Sequence, residues 1–118
     1  MTRNLMLCLL LLVISVTGFS QDDYYLKKAQ RYQQEAEYYQ KKSEGYRREA
    51  AYYLKKAEGY QHEAAYYTRK GDLGRAGSYT RYAGDALDKY KTQLRYAEQA
   101  DGKAAMYLRW ATEALRKQ

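Results

Sequence analysis

The sequence predicts an all-α fold, a long antiparallel two-helix hairpin with a coiled-coil-like seam. Three observations carry this. The chain has 118 residues, no proline and sixteen tyrosines, so it has room for one small domain. Beyond residue 20 it contains no Val, Ile, Phe, Cys or Asn, and its apolar residues are Ala, Tyr, Leu, Met106 and Trp110. Such a composition lacks the β-branched residues that strands favour and is rich in helix formers. The third observation is a fourteen-residue repeat, YYLKKAQRYQQEAE (24–37), YYQKKSEGYRREAA (38–51) and YYLKKAEGYQHEAA (52–65), with a fourth copy that dissolves after Tyr66-Tyr67.

The chain opens with an export signal. Arg3 precedes an apolar run of twelve, Leu5 to Val16, and Gly18-Phe19-Ser20 places small residues at the −3 and −1 positions of a cleavage site. The run is shorter than the roughly 20 apolar residues a membrane span needs. Cys8 lies inside this run and is not placed to carry a lipid. The reading is a secretory signal peptide over 1–20, a helical domain over 21–118, and a secreted location, extracellular or periplasmic. Removing the signal lowers Lys+Arg from 21 to 20 against 14 acids, a balance of +6.

The repeat then defines the first helix, expected over 22–70. Fourteen residues are two heptads, so small and aromatic residues alternate along one seam. Position a carries Ala29, Ala36, Ser43, Ala50, Ala57 and Ala64, and position d carries Tyr32, Tyr39, Tyr46, Tyr53, Tyr60 and Tyr67. Position g alternates in sign from Lys28 and Glu35 to Lys70, and position f is mostly basic and faces water. Asp22 and Asp23 suit the start of the helix.

A turn over 71–74 follows. Gly71 suits a left-handed helix end, Asp72 suits the first cap of the next helix, and Gly74 completes the turn. The second helix, expected over 72–117, carries Leu87, Leu94, Leu108 and Leu115 at a, with Ala76, Ala83, Tyr90, Ala97, Ala104 and Ala111 at d. If the chain reverses at 71–72, Ala36 meets Leu108, Ala57 meets Leu87, Tyr60 meets Ala83 and Tyr32 meets Ala111. Large then faces small at nearly every level, as close packing requires, and the polar a residues Ser43 and Asp101 fall at one level. Each helix would be about 65–75 Å long.

The segment EAAYYTRKGDLGRAGSYTRYAGDAL (63–87) resembles the centre of a tetratricopeptide repeat. Tyr67, Gly71, Asp72, Ala76 and Ala83 fall where that family has its helix-A aromatic, its turn Gly-Asp and its helix-B alanines. The resemblance implies a two-helix packing geometry and at most a protein-interaction role. No second 34-residue unit follows, so it does not imply a superhelical array.

More aromatic surface is present than one seam accommodates. Position c of the first helix carries Tyr24, Tyr38, Tyr52 and Tyr66, with Gly45 and Gly59 between them, and the second helix carries Tyr82, Tyr96 and Trp110 at the same position. A glycine inside a helix costs about 1 kcal/mol against alanine, so two at one repeating position predict a face that accepts a neighbour. These nine residues are the expected assembly interface.

Catalysis finds no foothold. His62 is the only histidine and lies at the solvent-facing f position, there is no cysteine after Cys8, and Gly71-x-x-Gly74 lacks the Lys-Ser/Thr of a phosphate loop. No enzyme activity, cofactor, metal or small-molecule substrate is expected. The acids are spread among the bases, which argues against a specific nucleic-acid partner. The function expected is an exported structural protein that associates with itself through tyrosine-rich faces into a bundle or fibre. The alternative is a periplasmic or secreted helical binding module, chaperone-like or bound to an anionic envelope or extracellular polymer.

Overall fold

The computed structural model describes residues 23–117. The signal-peptide reading of 1–20 and the cap at Asp22 lie outside the described residues. The chain forms two helices, α1 (Asp23–Arg69) and α2 (Leu73–Arg116), joined by a tight turn. The fold is all-α, an antiparallel helical hairpin, and among the described residues no helix is long and apolar enough to cross a membrane. Among the described residues the molecule divides into two compact units, one from 23–42 and 100–117 and the other from 43–99. Each unit holds a stretch of both helices, and each is described below by itself.

The turn follows from two residues. Gly71 has φ +81°, a backbone conformation that side chains with a Cβ avoid. It lets the Gly71 N–H donate to the Thr68 carbonyl at 3.1 Å and the Asp72 N–H donate to the Tyr67 carbonyl at 2.9 Å, which closes the last carbonyls of α1 as a Schellman motif. Asp72 then starts α2. Its Oδ1 accepts from the Arg75 N–H at 3.1 Å and its carbonyl accepts from the Ala76 N–H at 3.1 Å, while Arg75 Nε lies 3.5 Å from Oδ2. One residue therefore ends one helix and caps the next. Gly74, expected within the turn, sits in the first turn of α2 instead, because Asp72 begins that helix two residues earlier.

Packing in both units is set by small residues. In the unit of 43–99, the buried residues are Ser43, Ala50 and Ala57 from α1, with Ala76, Ala83, Ala86 and Ala97 from α2. In the other unit they are Leu26, Ala29 and Ala36 with Ala100, Ala104, Leu108, Ala111 and Ala114, joined by Gln33 and Gln40. Among the described residues, Ser43 is the largest side chain that is fully buried. The central layer is thus alanine on alanine, from position a of α1 and positions d and g of α2. The larger residues stand to either side of that layer. The seam tyrosines Tyr32, Tyr39, Tyr46, Tyr53, Tyr60 and Tyr67 are half-buried, as are Leu87, Leu94 and Leu115. Leu108 is buried, in a cluster with Ala36 and Ala111 that Tyr32, Tyr107 and Leu115 pack against.

The turn geometry makes a stability prediction. Gly71→Ala should cost about 1 kcal/mol or more from the left-handed backbone, and Asp72→Ala about 1 kcal/mol from the lost cap. Urea denaturation followed by circular dichroism checks both. A midpoint unchanged by Asp72→Ala would show that the cap carries no stability.

Candidate interaction surface

The chemistry-bearing residues of this chain are aromatic rings and cations, and the helices order them in rows. In the first row, the d tyrosines of α1 lean across the alanine layer toward position c of α2. In the unit of 23–42 and 100–117, the Lys117 ammonium lies 5.8 Å from the centre of the Tyr25 ring. Trp110 then meets Tyr32 edge-on at 5.6 Å, and Lys103 lies 5.2 Å over Tyr39. In the unit of 43–99, Tyr96 meets Tyr46 at 5.5 Å and Lys89 lies 5.6 Å from Tyr53. Tyr82 meets Tyr60 at 5.6 Å, and the Arg75 guanidinium lies 5.4 Å over Tyr67. Position c of α2 therefore alternates cation and ring, and each faces one tyrosine of α1. Both contacts suit an aromatic face, whose negative quadrupole attracts a cation or the positive edge of another ring.

Two further rings build on this row. Tyr107 stacks on Tyr39 at 5.8 Å with 7° between planes, lies 6.1 Å from Tyr32, and meets Trp110 edge-on at 5.4 Å. In the other unit Tyr79 stacks on Tyr67 at 5.7 Å with 3° between planes, lies 6.1 Å from Tyr60, and meets Tyr82 edge-on at 5.8 Å. These are one four-ring motif built twice, displaced along both helices by two fourteen-residue repeats. Neither Tyr79 nor Tyr107 belongs to the sequence-derived site. Their signal in the sequence is that both hold position g of α2, where Ala86, Gln93, Ala100 and Ala114 otherwise sit.

The seven aromatic residues of the expected interface separate into two groups. Tyr82, Tyr96 and Trp110 are engaged within the chain, because position c of α2 faces the d row of α1. Arg81 and Arg95 approach the Tyr82 and Tyr96 rings as well, each at 5.8 Å. Tyr24, Tyr38, Tyr52 and Tyr66 point away from the alanine layer and are between 45% and 60% exposed. Each carries the ammonium of the lysine four residues on, Lys28, Lys42, Lys56 or Lys70, at 5.3–5.6 Å from the ring centre. Each also meets the edge of the tyrosine that follows it, at 5.1–5.2 Å. The repeat thus presents the same unit four times: an outward ring, a lysine over it, and an inward ring behind it.

The glycines between those rings are not required by packing within the chain. A Cβ at Gly59 would meet nothing within 4 Å, and one at Gly45 would meet only the Arg48 Nη2 at 3.8 Å, an ordinary contact.

The side of the hairpin away from the rings is different. Gln33 and Gln40 follow Leu26 at position e of α1 and are buried, and the amide nitrogen of each meets no acceptor among the described residues. Gln40 forms part of a groove of about 420 Å³ with Asp101, Ala104, Leu108 and Arg109. Sequence reasoning placed the seam at a and d and missed these e-position residues, since a polar residue there reads as solvated. Among the described residues, no three of His, Cys, Asp and Glu come together as metal ligands.

No protein-family model, curated protein or solved structure matches this chain. The tetratricopeptide resemblance of 63–87 accordingly rests on its five residues alone.

Two measurements check this description. A buried amide without its partner costs about 1 kcal/mol or more, so Gln40→Met should raise the stability of the hairpin by about that amount, read from the urea midpoint. Hydrogen bonding to the Tyr52 hydroxyl, and next the Coulombic interaction with Tyr52, hold the Lys56 ammonium above its ordinary value of 10.5. A raised lysine value means the contribution is fully present below the unfolded value and is lost as pH rises through the folded one. Titration of the Lys56 side chain by NMR should give a raised midpoint that falls back in Tyr52→Phe. An equal midpoint in both proteins would remove the hydroxyl as its cause.

Proposed function

We propose that this chain is an exported, non-enzymatic structural protein that associates with itself through the outer face of α1. The observation that carries the reading is the pair Gly45 and Gly59, set between exposed tyrosines where the chain itself has room for a side chain. Helix-interior glycine is unfavourable by about 1 kcal/mol against alanine, and no neighbour among the described residues fills the space that a side chain would take. A second helix approaching that face would. The exposed tyrosines fit the same role, since a tyrosine ring buries against a neighbour while its hydroxyl stays wet. Energetics agree: an alanine layer buries little apolar area, and association supplies more at roughly 25 cal/mol per Å².

The test separates monomer stability from assembly. In dilute solution, Gly45→Ala with Gly59→Ala should stabilise the hairpin by about 1 kcal/mol per site. At higher concentration the same variant should assemble less than the parent by light scattering and negative-stain microscopy. Replacing Tyr38, Tyr52 and Tyr66 by lysine should leave a folded hairpin that does not assemble. A parent protein that stays monomeric at every concentration, or a lysine variant that still assembles, overturns the reading.

A further inference from the structure

Within the unit of 23–42 and 100–117, ring contacts run without a gap from α2 to the outer face of α1. Trp110 touches Tyr107 at 5.4 Å, Tyr107 stacks on Tyr39 at 5.8 Å, and Tyr39 touches Tyr38 at 5.1 Å. Tyr32 offers a parallel step, 5.6 Å from Trp110 and 6.1 Å from Tyr107. Trp110 is the single tryptophan of the chain. Tyr38 is 52% exposed. Filling space would be met equally well by phenylalanine, yet the sequence has one phenylalanine, Phe19, and none among the described residues.

Indole and phenol are the side chains most readily oxidised by one electron, apart from thiols. Electron transfer between them weakens steeply with separation, so rings in contact exchange an electron faster than one reacts with solvent. At neutral pH the phenoxyl radical is the more stable of the two, which gives the series a direction. We propose that Trp110, Tyr107, Tyr39 and Tyr38 form a radical relay that carries a one-electron oxidation from the tryptophan to the exposed phenol of Tyr38, where it cross-links to a tyrosine of a second copy. A one-electron oxidant removes an electron from the Trp110 indole, which loses its N–H proton. The indolyl radical then takes an electron from Tyr107 and regains a proton as that phenol releases one, and the same exchange repeats to Tyr39 and to Tyr38. Phenoxyls on two chains couple through their ortho carbons, and each ring's ortho hydrogen moves to oxygen. Two tyrosines have then given two electrons to two equivalents of oxidant and released two protons to water. The coupling step rests on the self-association proposed above; the relay does not.

Pulse radiolysis with azide radical, a one-electron oxidant that reacts preferentially with tryptophan at neutral pH, tests the relay in dilute protein of residues 21–118. The indolyl absorption should decay in a first-order, concentration-independent phase matched by a rise of phenoxyl absorption. Tyr107→Phe with Tyr32→Phe keeps both rings and should lose that phase while circular dichroism remains that of the parent. A phase that survives in this variant, or decay that is second-order in the parent, overturns the relay. At assembling concentrations, peroxidase with hydrogen peroxide should give dityrosine that peptide mapping places at Tyr38 and that Tyr38→Phe removes from that position. A relay without dityrosine between chains overturns the coupling step alone, and dityrosine that spares Tyr38 overturns Tyr38 as its end point.

Discussion

Close approach of two helices over alanine is the constraint from which the rest of the structure follows. With Ala29, Ala36, Ala50 and Ala57 on one side and Ala76, Ala83, Ala97, Ala104 and Ala111 on the other, the layer between the helices has no space for a tyrosine ring. The d tyrosines must lie along one edge of the layer, half in water. Once there they need partners that tolerate water, and position c of α2 supplies them as lysine, arginine, tyrosine and tryptophan. An aliphatic partner would bury area at that edge but give the ring face nothing to attract.

The same constraint accounts for how much was legible in the sequence. The alternation of small and aromatic residues at heptad spacing is a local property, and it specifies two helices with a common apolar side. Gly71 and Asp72 mark the turn because each has a chemical reason that depends on its immediate neighbours alone. Ring pairing is not local. Pairing large with small at each level puts Tyr60 against Ala83 and Tyr32 against Ala111; the rings instead reach one position past those alanines, to Tyr82 and Trp110. A tyrosine side chain is long enough to bypass the residue beside it, and heptad letters do not encode that reach.

Gln33 and Gln40 were illegible for a related reason. Position e lies beyond the alanine track from the tyrosines, and the track alone does not bury it: Arg47 and Gln61 hold the same position and are exposed. Gln33 and Gln40 are covered in the unit where α2 brings Leu108, and Gln40 lies in the groove that Asp101, Ala104, Leu108 and Arg109 line. Their burial is a product of those tertiary neighbours and not of their own hydropathy.

The fourteen-residue period also has a physical basis in the cation and ring alternation. Tyrosines recur on α1 every seven residues, a rise of about 10 Å. Cations facing every one of them would stand about 10 Å apart, near the screening length at moderate ionic strength, and would repel one another. Placing a ring at every other position, as Tyr82 between Arg75 and Lys89 and Trp110 between Lys103 and Lys117, sets the cations of position c about 21 Å apart, where salt screens their repulsion, and leaves Arg81 and Arg95 to approach the Tyr82 and Tyr96 rings from position b. The α1 surface obeys the same rule: Lys28, Lys42, Lys56 and Lys70 recur every fourteen residues, with Glu35, Glu49 and Glu63 midway. A strict seven-residue repeat would crowd like charges along one edge. Two heptads are the shortest period that lets position c of α2 alternate cation with ring and position g of α1 alternate lysine with glutamate, so that each d tyrosine is partnered without like charges at successive levels of either position.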